Sequence, residues 1–365
     1  MILHFYFARR FVISFGIITG ALFSIVALVG LVDETRRFGD SGVSFAQILG
    51  LTLLKAPETV NQIFPLIMIL ATVMLFLTLA RSSELVATRA SGRSGLRTLI
   101  APLVVALIIG GLAVAMLNPI VAGTSKRHNA LSDKYYSGGV STLSISSEGL
   151  WLRQGDTEGQ TVIRAWRSNA DASVLYDVTF LSYTPGRGPT QRVAAQSASL
   201  QEGGWALKGV KLWPLQAGIN PEANAETHAE YFIPTTLTQA RIRESLGRPS
   251  SISIWDLPDF IAQLDQAGFS SRKHRVWLQS ELARPLFLMS MVLVASAFTM
   301  RHTRFGGTGL AVLAAVLLGF GLYFIRSFAQ ILGESGQIPI YLAAWAPPVA
   351  AVLLALGLLL HAEDG

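Results

Sequence analysis

The charged residues best placed to do chemistry lie in the segment from Arg81 to Arg97, whose sequence is RSSELVATRASGRSGLR. Within this segment four arginines accompany a single acid, Glu84, whereas the flanking runs 63–80 and 98–117 carry no charge. A polar segment this short, held between two apolar runs long enough to cross a membrane, cannot fold as a domain. The pattern predicts a docking element for another protein.

A short helix lying at the membrane face is predicted over residues 83–92 of this segment. Good helix formers continue through Ala90, and the glycine that follows can cap the helix end. A simple connecting loop is the alternative, although the orientation of the flanking spans does not require an acid here. The candidate contact residues of the helix are Ser83, Glu84, Leu85, Val86, Arg89 and Gly92.

A second group of ionisable residues lies at the opposite ends of the predicted spans. Each residue alone is typical of a side chain that reaches for the membrane interface. Together their guanidinium and ammonium groups would form a basic ring suited to the phosphates of an anionic lipid. The candidate lipid-binding residues are Arg36, Arg37, Lys126, Arg127, Arg284 and Arg326.

Glu281 and Arg284 lie one helical turn apart near the start of the fourth apolar run. Both charges would be costly facing lipid, so we expect the two side chains to face a cavity or to pair with each other. Either arrangement would place them inside a helix bundle.

Motifs for catalysis are weak in this chain. The nucleotide-binding pattern GxxxxGK[ST] does not occur; if this chain serves an ATP-driven transport system, ATP and magnesium would be bound by a separate ATPase chain. The GxSG pattern of intramembrane serine proteases occurs twice, but Ser94 and Ser335 fall in loops on opposite faces, and no predicted span contains a histidine base. With no cysteine and no paired histidines, we expect neither a metal nor a cofactor in this chain.

Composition places the chain in the membrane class, because 51% of its residues are hydrophobic, 14% are charged and its mean hydropathy is +0.46. The net charge of +6 does not indicate nucleic-acid binding, since the arginines fall largely at the ends of apolar runs. Six spans are predicted, at residues 11–32, 63–80, 98–117, 286–300, 309–325 and 338–360.

The basic residues of the short loops predict the orientation of these spans. Loops on the side of both termini and of Arg81–Arg97 carry twice as many basic residues as the short loops opposite. We therefore expect that side to face the cytoplasm. The region from about residue 118 to 275 would then lie outside.

The outer region is predicted to be all-β. Hydrophobic residues alternate over 174–181, and further strand candidates lie at 149–153, 161–166 and 205–213. A short helix is predicted over 256–267, ending at Gly268. The predicted fold class is an α-helical integral membrane protein with six transmembrane helices, arranged 3+3, and an inserted antiparallel β domain, a sandwich or open jelly roll. The predicted divisions are 1–120 with helices one to three, 121–275 with the β domain, and 276–365 with helices four to six.

The chain resembles, along essentially its whole length, the lipopolysaccharide-export permeases of the LptF/LptG (YjgP/YjgQ) family. Its most specific motif is SELVATRASG at 83–92, supported by DETRR at 33–37, GLWLR at 149–153 and AWAP at 344–347. GLWLR is more similar to the LptG members than to the LptF members. One departure is Glu58, which stands where some relatives carry a lysine and argues against a phosphate contact there.

The resemblance implies a heterodimer with a second, LptF-type permease on a pair of cytoplasmic ABC ATPase subunits in a Gram-negative inner membrane. Such a dimer extracts lipopolysaccharide (LPS) from the outer leaflet and passes it through a periplasmic jelly roll to a periplasmic bridge protein, with a single-span LptC-type protein as a further partner. The family's coupling helix falls on residues 83–92, with Glu84 as its acidic contact, and its basic cavity residues fall on Arg36, Arg37 and Lys126. The alternative is a mechanotransmission-type ABC permease, which usually has four spans and transports nothing through them.

Overall fold

A computed structural model describes residues 2–38, 43–90, 94–136, 142–146, 149–155, 160–169, 173–184, 188–215, 218, 220–235, 238, 242, 248–266, 269–300 and 308–364. The chain divides into two compact units. A helical unit comprises Met1–Leu131, Ser253–Trp255 and Arg272–Gly365, and a sheet unit comprises Ser132–Ile252 and Asp256–Ser271.

Almost all described residues that precede the sheet are helical. The first is α1 at Ile2–Phe38, followed by α2 at Phe45–Arg81 and the short α3 at Glu84–Ala90. Helix α4 at Gly95–Leu112 continues through a π-helical turn at Ala113–Leu117 into α5 at Asn118–Tyr136. Helix α6 at Leu257–Gln266 belongs to the sheet unit. The chain then returns to the helical unit with α7 at Arg272–Leu282, α8 at Arg284–Thr299, α9 at Thr308–Glu334 and α10 at Ile340–Asp364.

Five of the described helical segments are long and apolar enough to cross a membrane, and α7 with α8 adds a sixth when the pair, bent by 48°, is counted as one span. The prediction of six spans is confirmed on that count. The five continuous segments are Ile2–Phe38, Phe45–Arg81, Gly95–Ser132, Gly309–Glu334 and Ile340–His361.

Several helices are longer than the apolar runs that predicted them. The first run covers 11–32, whereas α1 has 37 residues and a length of roughly 55 Å, against a hydrocarbon core of about 30 Å. The third run ends at Leu117, but helix continues to Tyr136. Hydropathy marks only the part of a helix that lies in lipid, and polar residues such as those of α5 can extend the helix beyond it.

The core of the helical unit is built around α8. Its side chains Phe287, Leu288 and Met291 are fully buried, and α8 packs against α2, α4, α9 and α10. The contact between α4 and α8 is close, because a Cβ placed on Gly110 would lie 2.6 Å from the Cα of Pro285. By contrast, only 6% of the most apolar window of α1 is buried, so this helix lies at the edge of the unit.

The sheet unit contains an antiparallel sheet whose seven described strands pair in sequence order. The strands are β1 at Thr142–Ser146, β2 at Gly149–Gly155, β3 at Gln160–Ser168, β4 at Val174–Thr184, β5 at Gly188–Gln201, β6 at Gly204–Pro214 and β7 at Glu226–Pro234. All four predicted strands are present, and the inserted β domain is confirmed. The pairing refines the predicted topology: each described strand pairs with the next one along the chain, so these strands form a meander.

The strict alternation of buried and exposed residues is interrupted once in each of four neighbouring strands. The four interruptions lie on one line across the sheet. In each of these strands two residues, instead of one, separate consecutive buried positions. The buried pairs are Ala165 and Ser168, Leu175 and Val178, Ala195 and Ala198, and Leu207 and Val210. Because these residues also pair across the strands, each strand carries its extra residue at the same level. We call this line the double row.

Two residues of the double row have backbone conformations outside the usual strand region. Asp177 has a φ of 51° and Gly209 a φ of 62°, and both lie in the left-handed region. Because of the extra residue, the buried residue that precedes Val178 in β4 is Leu175 and not Tyr176. Strict alternation over 174–181 is therefore correct only beyond Asp177. The core beneath contains Trp205 and Phe180, whose rings meet edge to face at 6.3 Å.

Replacing Gly110 with alanine is expected to destabilise the helical unit, because the new methyl group would meet the Pro285 backbone, which cannot swing aside. We expect a loss of about 1–3 kcal/mol, the usual cost of overfilling a packed site. Thermal unfolding in detergent would measure it. Gly111→Ala is the matched control, since nothing lies within 4 Å of its Cβ position. Equal midpoints for the two variants would contradict the close α4–α8 contact.

Candidate functional site

The predicted helix of the docking segment is present as α3, from Glu84 to Ala90. It begins directly after α2, because Ser83 adopts a φ of 59° and turns the chain, and the Ala87 amide then donates to the Ser83 carbonyl at 3.1 Å. Gly92, the predicted cap, lies outside the described residues. We refer to this end of the helical unit as the α3 end and to the opposite end as the far end.

The side chains of α3 divide between an inner and an outer face. Leu85 and Thr88 are buried, and Leu85 is part of the core that α2, α4 and α8 share. Val86 is 55% exposed, and Ala87 and Ala90 are exposed as well. Leu85 therefore anchors α3 to its own chain, while Val86 offers a small apolar surface to another molecule.

Glu84 is held by two residues of α1. Its carboxylate accepts a hydrogen bond of 2.7 Å from the Tyr6 hydroxyl and lies 3.8 Å from the Arg10 guanidinium. Arg10 also donates to the Tyr6 oxygen at 2.9 Å, and its guanidinium lies over the Tyr6 ring at 5.2 Å. We call Tyr6, Arg10 and Glu84 the Glu84 cluster. It connects α3 to the first turns of α1.

The Glu84 cluster keeps its carboxylate ionised. The Tyr6 hydrogen bond, assisted by Ser82 and by the charge of Arg10, lowers the pKa of Glu84 against a smaller opposing effect of burial. A carboxyl group with a lowered pKa stabilises the fold above its ordinary pKa, and this stabilisation is lost only as the pH falls through the lowered value. The cluster is therefore intact near neutral pH.

A second polar cluster joins α1, α2 and α5 at the far end. Glu34 is 1% exposed, and its Oε1 lies 3.3 Å from Lys55 Nζ and 3.3 Å from His128 Nε2. Glu58 accepts a hydrogen bond of 2.8 Å from the Ser125 hydroxyl. We call these five residues the Glu34 cluster. The residue that departs from the family pattern, Glu58, is thus bonded within the chain.

Four of the predicted lipid-binding residues are exposed beside the Glu34 cluster. Arg36 and Arg37 follow Glu34 on α1, and Lys126 and Arg127 lie between Ser125 and His128 on α5. The contact between Glu34 and His128 brings these two segments to the same end of the unit. The result is a basic, exposed surface on two helices.

The other two predicted lipid-binding residues lie inside the bundle. Arg284 is 5% exposed and donates to both carboxylate oxygens of Glu281, at 2.9 and 3.2 Å, and to the Asn61 carbonyl at 2.5 Å. The predicted pairing of Glu281 with Arg284 is confirmed. Arg326 is partly buried, donates to the Ser280 carbonyl at 3.3 Å and lies 5.0 Å from the Phe287 ring.

The Glu281–Arg284 pair lies at the bend between α7 and α8 and has further partners. Asn118 donates to Glu281 at 3.4 Å and accepts from the Ile254 amide at 2.9 Å. The Trp255 indole donates to the Ala115 carbonyl in the π-helical turn at 3.1 Å. We call Asn61, Asn118, Glu281 and Arg284 the bend network.

The two serines of the GxSG patterns have local structural roles. Ser94 caps α4, because its hydroxyl accepts from the Arg97 amide at 3.3 Å. Ser335 donates to the Leu332 carbonyl at 3.1 Å. The turn that contains Ser335 is held by Arg272, which donates to the carbonyls of Gly333 and Ile338 at 2.7 and 2.6 Å. No sequence motif singled out Arg272, Tyr6 or Arg10, although Tyr6 and Arg10 share a helix face at a spacing of four.

Comparison with known proteins identifies the family. A sequence model described as "Lipopolysaccharide export system permease LptF/LptG" matches residues 5–361. The chain belongs to this family. It is LptG-like: it is 25% identical to the lipopolysaccharide export system permease protein LptG of Haemophilus influenzae, over 95% of this chain and 97% of the relative. It is 23% identical to LptG of Escherichia coli K12, over 95% of each chain.

Removing Arg284 from this LptG-like permease is expected to destabilise it strongly, because Glu281 would be left as a buried, uncompensated charge. For Arg284→Leu we expect a loss of about 3–5 kcal/mol, measured as a lower thermal midpoint in detergent. Lys126→Leu, at an exposed position of α5, is the control and should change the midpoint little.

The double variant Glu281→Leu, Arg284→Leu distinguishes the effect of losing the ion pair from the effect of leaving one buried charge unpaired. It should be more stable than Arg284→Leu alone, since no charge is left unpaired. A double variant no more stable than Arg284→Leu alone would contradict this account of the bend network.

Proposed function

We propose that this chain is the LptG-like subunit of an ABC exporter that extracts LPS from the outer leaflet of the inner membrane and passes it towards a periplasmic bridge. Partner ATPase subunits on the cytoplasmic side would drive extraction by docking on α3. The observation that carries the proposal is the form of α3: its inner face is anchored by Leu85 and its outer face exposes Val86. A helix built this way can receive a partner's movement and pass it to its own bundle.

The orientation in the proposal follows from the placement of basic residues. With α3 in the cytoplasm, both chain termini lie on the same side, and the sheet unit is inserted on the periplasmic side. The partner set would include an LptF-type permease, an ABC ATPase dimer and a single-span LptC-type protein. The five or six helices able to span a membrane support an LPS permease over a mechanotransmission permease, which usually has four.

The exposed basic surface at the far end would receive the phosphates of LPS. Arg36 and Lys126 lie on different helices beside the Glu34 cluster, so their charges can reach one headgroup from two sides. Arg284 and Arg326 would act from within the bundle and hold the helices that form the wall of the cavity. Glu58, bonded to Ser125, would place negative charge at this surface.

Docking on α3 is tested by Val86→Arg, which puts a charged side chain on the exposed face and leaves the buried face unchanged. We expect the amount of ATPase that co-purifies with the permease complex to fall by about tenfold or more, since a central apolar contact is lost. Thr35→Arg is the matched control, because it places the same side chain at an exposed helical position of the far end. Co-purification equal to that of the parent would refute docking through this face.

Phosphate binding at the far end is tested by the double variant Arg36→Glu, Lys126→Glu. We expect LPS recovered with the purified complex to fall by about three- to tenfold, the scale of a few exposed ionic contacts. Lys208→Glu, on an exposed position of β6, is the control. The difference should disappear with dephosphorylated LPS. A deficit that persists without the phosphates would contradict the proposed contact.

A further inference from the structure

Helix α1 is fixed to the rest of the helical unit at both of its ends. At the α3 end, Tyr6 and Arg10 hold Glu84. At the far end, the buried Glu34 meets Lys55 of α2 and His128 of α5. Each cluster is centred on a carboxylate: Glu84 accepts a hydrogen bond from Tyr6, and Glu34 accepts one from Lys55.

Between these ends α1 packs on one side only, mainly against α2. The other side of its middle is exposed, including Ile17, Ile25 and Leu28. An open groove of about 110 Å³ lies between α1 and α2 immediately beyond Arg10. It is lined by Arg10, Ile13 and Ile17 of α1 and by Met74, Thr78 and Leu79 of α2. Because the two helices are not close-packed along this groove, α1 has room to shift against α2 there.

Helix α1 is also suited to carry a displacement over a long distance. It runs unbroken for 37 residues and contains no proline. Helix α2 has Pro57 and Pro65 within it, α4 passes into α5 through a π-helical turn, and α7 is bent by 48° against α8. Prolines and π-helical turns are where helices kink. A displacement of the first turns of α1 is therefore passed to its last turns with less bending along the way than in these other helices.

We propose that Tyr6 and Arg10 are positioning residues that bind Glu84 and make α1 the connection between α3 and the far end. A partner that displaces α3 would move α1 through the Glu84 cluster. The shift would reach the Glu34 cluster and change the position of α1 relative to α2 and α5, where Arg36 and Lys126 are exposed. This inference rests on the proposed function, in that α3 is taken as the docking site of the ATPase.

The first test compares Tyr6→Phe and Arg10→Gln with Arg9→Gln in the assembled complex. Tyr6→Phe keeps the ring and removes only the hydroxyl that binds Glu84, and Arg10→Gln removes the guanidinium. Arg9→Gln removes the same charge from an exposed neighbour. LPS released per ATP hydrolysed should fall by about three- to tenfold in the first two, as expected for one partly exposed charged hydrogen bond. In the control it should not change.

The second test reads the movement of α1 directly. The chain has no cysteine, so spin labels can be attached at Thr35→Cys on α1 and Ala130→Cys on α5, both exposed. Addition of ATP to the complex should change the distance between the labels in the parent and leave it unchanged in Tyr6→Phe. A change of equal size in both would overturn the proposal, even if LPS release were reduced.

The two levels of inference fail differently. If Val86→Arg retains the ATPase, docking on α3 is wrong and the proposed function must be revised. If Val86→Arg loses the ATPase while Tyr6→Phe and Arg10→Gln release as much LPS per ATP as Arg9→Gln, docking stands and the role of α1 is refuted. Since Tyr6→Phe and Arg10→Gln disturb the cluster independently, poor folding of one leaves the other as a decisive variant.

Discussion

A carboxylate and a guanidinium buried side by side at the bend between α7 and α8 determine how the helical unit is assembled. Neither Glu281 nor Arg284 could be buried alone, because an isolated charge in an apolar interior loses several kcal/mol of hydration. Arg284 also binds the Asn61 carbonyl, which lies in an α2 turn near Pro65, and Glu281 binds Asn118 where α5 begins. The pair thereby joins α2 and α5 to the bend, and it directs the apolar side chains of α8 into the centre of the bundle. Helices α2, α4, α9 and α10 pack around α8 in that position.

Much of the architecture could be predicted because it depends on local features of the sequence. Charge-free runs mark the parts of helices that lie in lipid, and all four predicted strand segments lie within strands of the sheet. The ends of helices were less predictable: polar residues after Leu117 stay helical, since a helix does not have to stop where the membrane does. The shift in the alternation of buried and exposed residues at Asp177 could not be predicted either. It depends on extra residues that the neighbouring strands carry at the same level, and not on the sequence of any one strand.

In the candidate site too, features that depend on local sequence could be predicted, whereas features that depend on tertiary packing could not. The motif at 83–92 correctly predicted a helix, now seen as α3, but the distribution of its side chains between a buried and an exposed face depends on packing against α2. Tyr6 and Arg10 carry no motif, and the hydrogen bond from Tyr6 to Glu84 joins residues 78 positions apart. Among the arginines, composition alone could not separate Arg36, which is exposed, from Arg284, which has a carboxylate one turn away inside the bundle. The presence of Glu281 was the only local sign of that difference.

The double row limits how the sheet unit can change during evolution. Four strands carry an extra residue at one level, and their pairing stays in register only because all four do so. A single deletion near Asp177 would put one half of β4 out of step with both neighbours and turn its buried side chains outward. Substitutions at this level can be accepted one at a time, whereas a change of length in one strand would have to be matched in the next. The lengths of β3 to β6 should therefore vary together among related proteins, and the connections between strands are where the chain is free to grow.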